Sequence, residues 1–477
     1  MKNQFTRRQF LATAGAAASV TLLSEPLFDG ASALAAVPLV RRDVGRMDAS
    51  DPILLAYRKA IKAMQALPNT NPLSWAYQAA IHWTTLPGPP LTAWDSCEHG
   101  TPFFWSWHRM YLYWFERIIR KMCKEPCWAL PYWDWAPGTE LQLPAPFRDP
   151  ASELYTVNRN PVMNTGAGSL NPLAIDIGPA FSNTNFLTAN SVIQAPHGSV
   201  HVEVGGWMGS VPTAAQDPIF YLHHSNVDRQ WNLWLAQGGG RTDPLTNATW
   251  KNKQYTFFDQ NGAQVKMTAC QILRAAQQLD YVYECEPPQV KEYCLRFPRP
   301  WWIFEQEVLF RLPIPPIELK AEPVSFPIEL KEIRQRIAPL LGSKTDTLFL
   351  ELDDVEAENQ PGVAWAVYVG LPPGSEPDSK GPYYAGSLSL FGVGIRSEAP
   401  HGFKPARFLY PLNRALEAAM KENEERLTVT FVPLGILIDG KPSRPYVKSP
   451  VHIGKAAILV EHQKEQKEPP KEREPKS

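Results

Sequence analysis

Seven of the chain's ten histidines fall within residues 82–224: His82, His99, His108, His197, His201, His223 and His224. They form two ordered groups. A neutral imidazole offers a nitrogen lone pair to zinc, copper, iron or nickel. His197 and His201 stand four apart in "HGSVHVEV", a spacing that puts both rings on one face of a helix and lets them share an ion. His224 and Asp228 have the same spacing, and a carboxylate one turn away can accept an imidazole N–H and fix its tautomer. Counting alone allows one three-histidine site per group. A catalytic zinc ordinarily uses one such site plus water, so two neighbouring sites favour paired copper ions and dioxygen chemistry.

Taken singly, these residues carry little. A lone His82 on "AYQAAIHW" reads first as a satisfied core histidine. An i,i+4 histidine pair is a weak signal, and Glu116 or Asp228 alone reads as an ordinary ion-pairing group. The clustering is what points to metal. Cys97, two residues before His99 in "DSCEHG", fits half a zinc site, half a nucleophilic dyad, or something less common.

The elements that must position these side chains are mainly helical from about Pro38 to Leu235. "DPILLAYRKAIKAMQAL" places apolar residues at helical spacing after an Asp-Pro start. "NPLSWAYQAAIHW" and "HRMYLYWFERIIRKM" repeat the pattern between Pro/Gly-rich loops. In "YTFFDQNGAQVKM" the Asn261–Gly262 pair predicts a hairpin turn. Residues 291–330 are expected to be a proline-rich linker. Beyond them, "TLFLELDDV", "VAWAVYVGL", "YYAGSLSLFGVG", "RLTVTFVPLG" and "KAAILVE" predict an all-β antiparallel domain over 331–463. The charged tail 464–477 is expected to be disordered. The fold class is therefore multi-domain: a mainly α bundle around a dicopper site over 36–290, then the β domain.

The residues also match a known family. "CEHGTPFFWSWHRMYLYWFE" resembles the first copper-site signature of tyrosinases and catechol oxidases, and "HGSVHVEVGGWMG…DPIFYLHHSNVDRQW" resembles the second. The resemblance implies that His82, His99 and His108 hold the first copper (CuA). It assigns His197, His201 and His224 to the second (CuB), because the family's His, three residues, then Asp selects His224 over His223. It implies oxidation of o-diphenols to o-quinones with O2, behind an aromatic wall of Phe103, Phe104, Trp105, Trp107 and Phe220. Strongly monophenolase members carry Asn directly after the first CuB histidine and a Glu shortly before it. Gly198, Ile193 and Gln194 stand there instead, which implies that diphenolase activity dominates. Val211 falls at the pocket mouth. Some relatives join a cysteine placed like Cys97 to the middle histidine through a thioether, here His99. "VRRDV" and "YVY" resemble the Arg and Tyr-x-Tyr whose cation–π contact clasps the catalytic domain in plant-type polyphenol oxidases. "YYAGSLSLFGVG" resembles part of their C-terminal β domain, which covers the site and keeps the enzyme latent. A haemocyanin-like O2-binding protein without catalysis, a structural module with one metal site, and an o-aminophenol oxidase are the alternatives.

The whole chain bounds the rest. Its 477 residues suit two or three domains, and a net charge of −1 points to neither nucleic acid nor an anionic membrane surface. Arg7-Arg8, a mild apolar stretch and "ASALAA" predict a twin-arginine signal peptide over 1–35. The expectation is bacterial export to the periplasm or beyond, with the twin-arginine machinery and a copper chaperone as partners beside small phenols. Export permits disulfides; Cys123, Cys127, Cys270, Cys285 and Cys294 are candidates, with pairing open.

Overall fold

The computed structural model describes residues 38–86, 91, 93–136, 138, 140–284, 301–331, 333–372, 374–375, 378–398, 403–421 and 424–466. The expected signal segment lies outside them. Six helices position the histidines. Helix α1 (Pro52–Gln65) begins where Ile53 N–H donates to Asp51 at 2.9 Å, with Pro52 in its first turn, and buries Leu54, Tyr57, Ile61 and Met64 along one stripe. Ser74 caps α2 (Trp75–His82), accepting from Tyr77 N–H. Helix α3 (Phe104–Cys123) stops at Lys124, whose φ of 62° is left-handed. Helices α4 (Phe186–Val192) and α5 (Gln194–Val204) follow each other across Ile193, and α5 stops at Gly205, φ 68°. Helix α6 (Ile219–Ala236) starts at Asp217, which accepts Ile219 N–H at 3.0 Å while Arg159 grips the same carboxylate through two 2.7 Å bonds.

The two ends of this body are fastened together. Leu39–Arg41 pairs in parallel with Tyr281–Tyr283. Buried Arg41 donates to Glu116 on α3 at 2.8 Å, to Asp228 on α6 at 3.3 Å and to the Tyr283 hydroxyl at 2.7 Å. Its guanidinium lies 3.5 Å over the Tyr281 ring, the expected cation–π clasp. The hairpin also forms: Gln254–Phe258 pairs with Gln264–Thr268 around Gly262, φ 79°.

Leu437–Ile438 pairs with Lys441–Pro442 and with Gly168–Ser169 of the helical body, while most strands of the β region form two facing antiparallel sheets. One runs Tyr384–Leu388, Ala364–Val369, Arg426–Leu434, Val324–Glu329 in spatial order. The other runs Ala406–Pro411, Asp346–Glu356, Val451–Gln466, Trp301–Leu312, with Ile317–Leu319 also paired to Val451–Gln466. Alternation along Ala364–Val369 explains its unbroken apolar run. Trp365, Val367 and Val369 enter the core between the sheets, whereas Ala364, Ala366 and Tyr368 join the core of the helical body.

Four expectations are corrected. The described part of 291–330 is not a linker, because Trp301–Leu312, Ile317–Leu319 and Val324–Glu329 are strands of the β region. The β region is not a separate body: the described residues from Pro38 onward form one compact unit. The charged tail starts later than Lys464, since Lys464–Gln466 still pair with Trp301–Ile303; the rest lies outside the described residues. Cys123 and Cys127 are free thiols, whereas Cys270 is disulfide-bonded.

Candidate metal centre

His82 is the last residue of α2, His99 lies on the loop before α3, and His108 sits one turn into α3. Their ring centroids are 5.3 Å (82–99), 5.5 Å (99–108) and 6.0 Å (82–108) apart. On α5 and α6, His197, His201 and His224 stand 4.8 Å (197–201), 5.3 Å (201–224) and 5.0 Å (197–224) apart. The groups touch: His108 and His224 stack with centroids 4.2 Å apart. Within each group the ligand atoms lie inside 4.8 Å of one another, with Cys97 joining the first group and His223 the second.

Three tautomers are fixed by backbone carbonyls. His108 Nδ1 donates to Phe104 O at 2.8 Å, His201 Nδ1 to Met208 O at 2.9 Å and His197 Nδ1 to Gln194 O at 3.3 Å. A carbonyl only accepts, so the proton sits on Nδ1 and the Nε2 lone pair is left for a metal. Burial, reinforced by the neighbouring imidazoles, holds these rings well below the ordinary histidine pKa, and burial takes His99 down to about 3. At neutral pH they are free bases. Nε2 of His197, Nδ1 of His224 and both nitrogens of His223 are buried without a hydrogen bond. Unpaired buried nitrogens are costly, and metal ions resolve that cost here. The residues fit a pair of metals.

The aromatic wall is narrower than expected. Phe104 lies 4.7 Å from both His108 and His197, Trp107 4.8 Å from His108, and Phe220 4.3 Å from His224. Trp105 packs instead against Phe186 and Trp231, and Phe103 against Tyr255. Val211 is buried with its backbone beside His82.

Asp228 does not serve His224. It accepts from Arg41, from Arg109 and, at 2.6 Å each, from the Tyr281 and Tyr283 hydroxyls. Two guanidiniums outbid one imidazole for a buried carboxylate. Arg109 follows His108 in the first copper-site signature, but only the three-dimensional fold brings it to Asp228. Cys97 Sγ lies 3.4 and 3.7 Å from the two nitrogens of His99. Burial pushes its thiol pKa well up, which removes the nucleophile a dyad would need.

One residue missed by the sequence reading comes from the β region. The loop after Tyr384–Leu388 places the Phe391 ring parallel to the His201 imidazole at 3.8 Å, and 5.5 and 5.8 Å from His99 and His197. No local pattern in "SLSLFGVG" singles it out.

Two abutting clusters of neutral, buried imidazoles on helices, sealed by aromatic rings, define a binuclear metalloprotein with histidine ligation. Comparison with known proteins agrees. Residues 72–186 and 174–237 match the common central domain of tyrosinase, 244–292 the polyphenol oxidase middle domain, and 317–442 a domain of unknown function. A tyrosinase of Hahella sp. is 34% identical over 287 residues, covering 49% of this chain and 61% of that protein. The latent polyphenol oxidase of Prunus armeniaca is 31% identical over 281 residues, covering 49% and 47%. The chain thus spans about half to three-fifths of the length of these curated relatives. The structure of latent apple tyrosinase superposes with a TM-score of 0.62 at 24% identity, covering 91% of this chain and 100% of that one. That of latent aurone synthase gives 0.62 at 22% identity, covering 92% and 93%; both likenesses establish the fold. The chain thus carries a tyrosinase central domain over 72–237 and a polyphenol oxidase middle domain over 244–292, and its two histidine groups lie within the first as a dicopper site.

Proposed function

We propose that this chain is a copper-dependent oxidase that converts o-diphenols to o-quinones with O2. His82, His99 and His108 hold one copper, and His197, His201 and His224 hold the other. The observation that carries this reading is the stacked His108–His224 pair joining two clusters of unprotonated imidazoles. The copper pair, when bound, supplies the two-electron reduction of dioxygen. The chain's own residues hold the ligand tautomers through Phe104 O, Gln194 O and Met208 O, and exclude water with Phe104, Trp107 and Phe220.

Diphenols are favoured over monophenols because no side chain after His197 can help take a proton from a phenol. Position 198 is glycine, and the Gln194 amide is spent on Gly100 N–H at 2.6 Å and Asn190 O at 3.1 Å. The protein as folded is latent, with Phe391 occupying the space over His201 from which a phenol ring would approach. Cys97 and His99 form a thioether. The sulfur is nearly equidistant from the nitrogens that flank Cε1, and the S–C bond replaces S–H and C–H as O2 accepts two electrons. Export follows the twin-arginine route from a bacterial cytoplasm, on the strength of Arg7-Arg8 and the small-residue site ending at Ala35. Among the described residues no helix is long and apolar enough to cross a membrane.

Copper analysis together with turnover of a panel of phenols, catechols and o-aminophenols tests the reading. Two coppers per chain and fastest turnover of catechols are expected. A single metal site, or no quinone from any catechol after the cap is opened, overturns it.

A further inference from the structure

Gly198 lies inside α5, between His197 and His201. A glycine there costs about 1 kcal/mol of helix stability relative to alanine, and its helical backbone makes no demand for glycine. The demand comes from across the seam. A Cβ built on Gly198 would fall 2.9 Å from Ser389 Oγ and 3.0 Å from Phe391 Cβ. The fit repeats on both sides. A Cβ on Gly100 would meet Val393 at 2.8 Å, and one on Gly392 would meet the His99 ring at 2.5 Å. Elsewhere the seam is hydrogen-bonded: the Tyr384 hydroxyl donates to Leu173 O and the Thr188 hydroxyl to Glu461, each at 2.6 Å. Beside Gly198 the Ser389 hydroxyl is buried without a hydrogen-bond partner.

We propose that Gly198 is the seat on which the β-region cap closes, so that one position sets both substrate preference and closure. This rests on the reading of residues 82–224 as a capped dicopper site. A side chain at 198 that would reach toward a bound phenol must first displace Ser389 and Phe391. Glycine stands there because the closed cap requires it, and the loss of a polar group beside the substrate is the consequence. The position is therefore a coupling point: substitutions that add a side chain open the cap as they alter the pocket.

The test is backbone hydrogen exchange, followed by mass spectrometry, on the full chain without copper, comparing wild type with Gly198→Ala and Gly198→Asn. Overpacking at a tight contact predicts exchange of amides 387–393 faster by on the order of tenfold to a hundredfold in Gly198→Asn, and by a smaller factor in Gly198→Ala. Amides of α5 itself should slow or hold steady, since alanine favours the helix. Unchanged exchange over 387–393 in both variants overturns the proposal. If Gly198→Asn does not fold, the alanine variant carries the test. In a Phe391→Gly background the same substitutions should add little, whereas full additivity would show that Gly198 does not act through the cap. No copper or phenol enters the measurement, so its outcome is independent of whether the oxidase reading holds.

Discussion

The Phe391 ring lies parallel to the His201 imidazole, 3.8 Å away and tilted by 8°. One residue comes from the metal-bearing helix α5 and the other from a loop almost two hundred positions later, and their stacking joins the β region to the site. Phe391→Ala should therefore raise catechol turnover of the copper-loaded full chain by about tenfold or more, if opening the cap is worth even 1.4 kcal/mol. Oxygen uptake before and after limited proteolysis checks it. A variant no faster than wild type, with proteolysis equally without effect, would show that Phe391 does not gate the site.

His223 and His224 both lie within reach of the second group. His224→Ala should lower copper from two per chain to about one and abolish catechol oxidation. His223→Ala should keep both metals, because the His223 ring packs against Trp135 and stacks on His197, whereas His224 stacks on His108 of the other group. Metal analysis of the two purified variants separates the assignments. Copper loss from the His223 variant alone would reverse them.

Asp228 is held by two buried guanidiniums, so Asp228→Asn should destabilise the protein by about 3–5 kcal/mol, as expected when one member of a buried ion cluster is removed. Burial pushes the Asp228 carboxyl up, but Arg109 and Arg41 pull it further down, and it ends below its ordinary value. A depressed folded pKa means that the unfolded chain binds the proton first as pH falls. The contribution is thus complete above about pH 4 and lost as pH drops through the folded value. Denaturant titrations of wild type and variant should converge in that acid range, and a constant gap at all pH values would contradict the assignment.

A thioether leaves a mass signature. The peptide containing Cys97 and His99 from copper-loaded protein should be two hydrogens lighter than calculated and resist reductant. Protein never exposed to copper should show the full mass and an alkylatable thiol. An alkylatable Cys97 in the loaded protein would exclude the bond.

Catechol should turn over faster than its parent phenol, and the phenol should show a lag. Rapid phenol turnover without a lag would mean that a group other than the residue at 198 takes the phenolic proton.

The site was legible in the sequence where chemistry and helix geometry coincide. The 197/201 spacing declares a shared helix face, and the His224-x3-Asp228 pattern marks the next helix. The strands were legible as apolar runs, and the all-apolar "AWAV" came from burial on both faces. What failed was non-local. Prolines in 298–330 suggested a linker, yet Pro327 sits in an edge strand, where a missing N–H is tolerated. Asp228 was paired with its nearest histidine because i,i+4 is a rule of single helices; the competing Arg41 and Arg109 are 187 and 119 positions away. Phe391 could not be found for the same reason: its importance lies wholly in what it faces.

The parallel pairing of Leu39–Arg41 with Tyr281–Tyr283 closes the helical body into a ring before the β region begins. Every histidine of the two metal groups lies between those two strands in the chain, and Phe391 lies beyond them. The clasp that fastens the helical body thus draws on no residue of the β region.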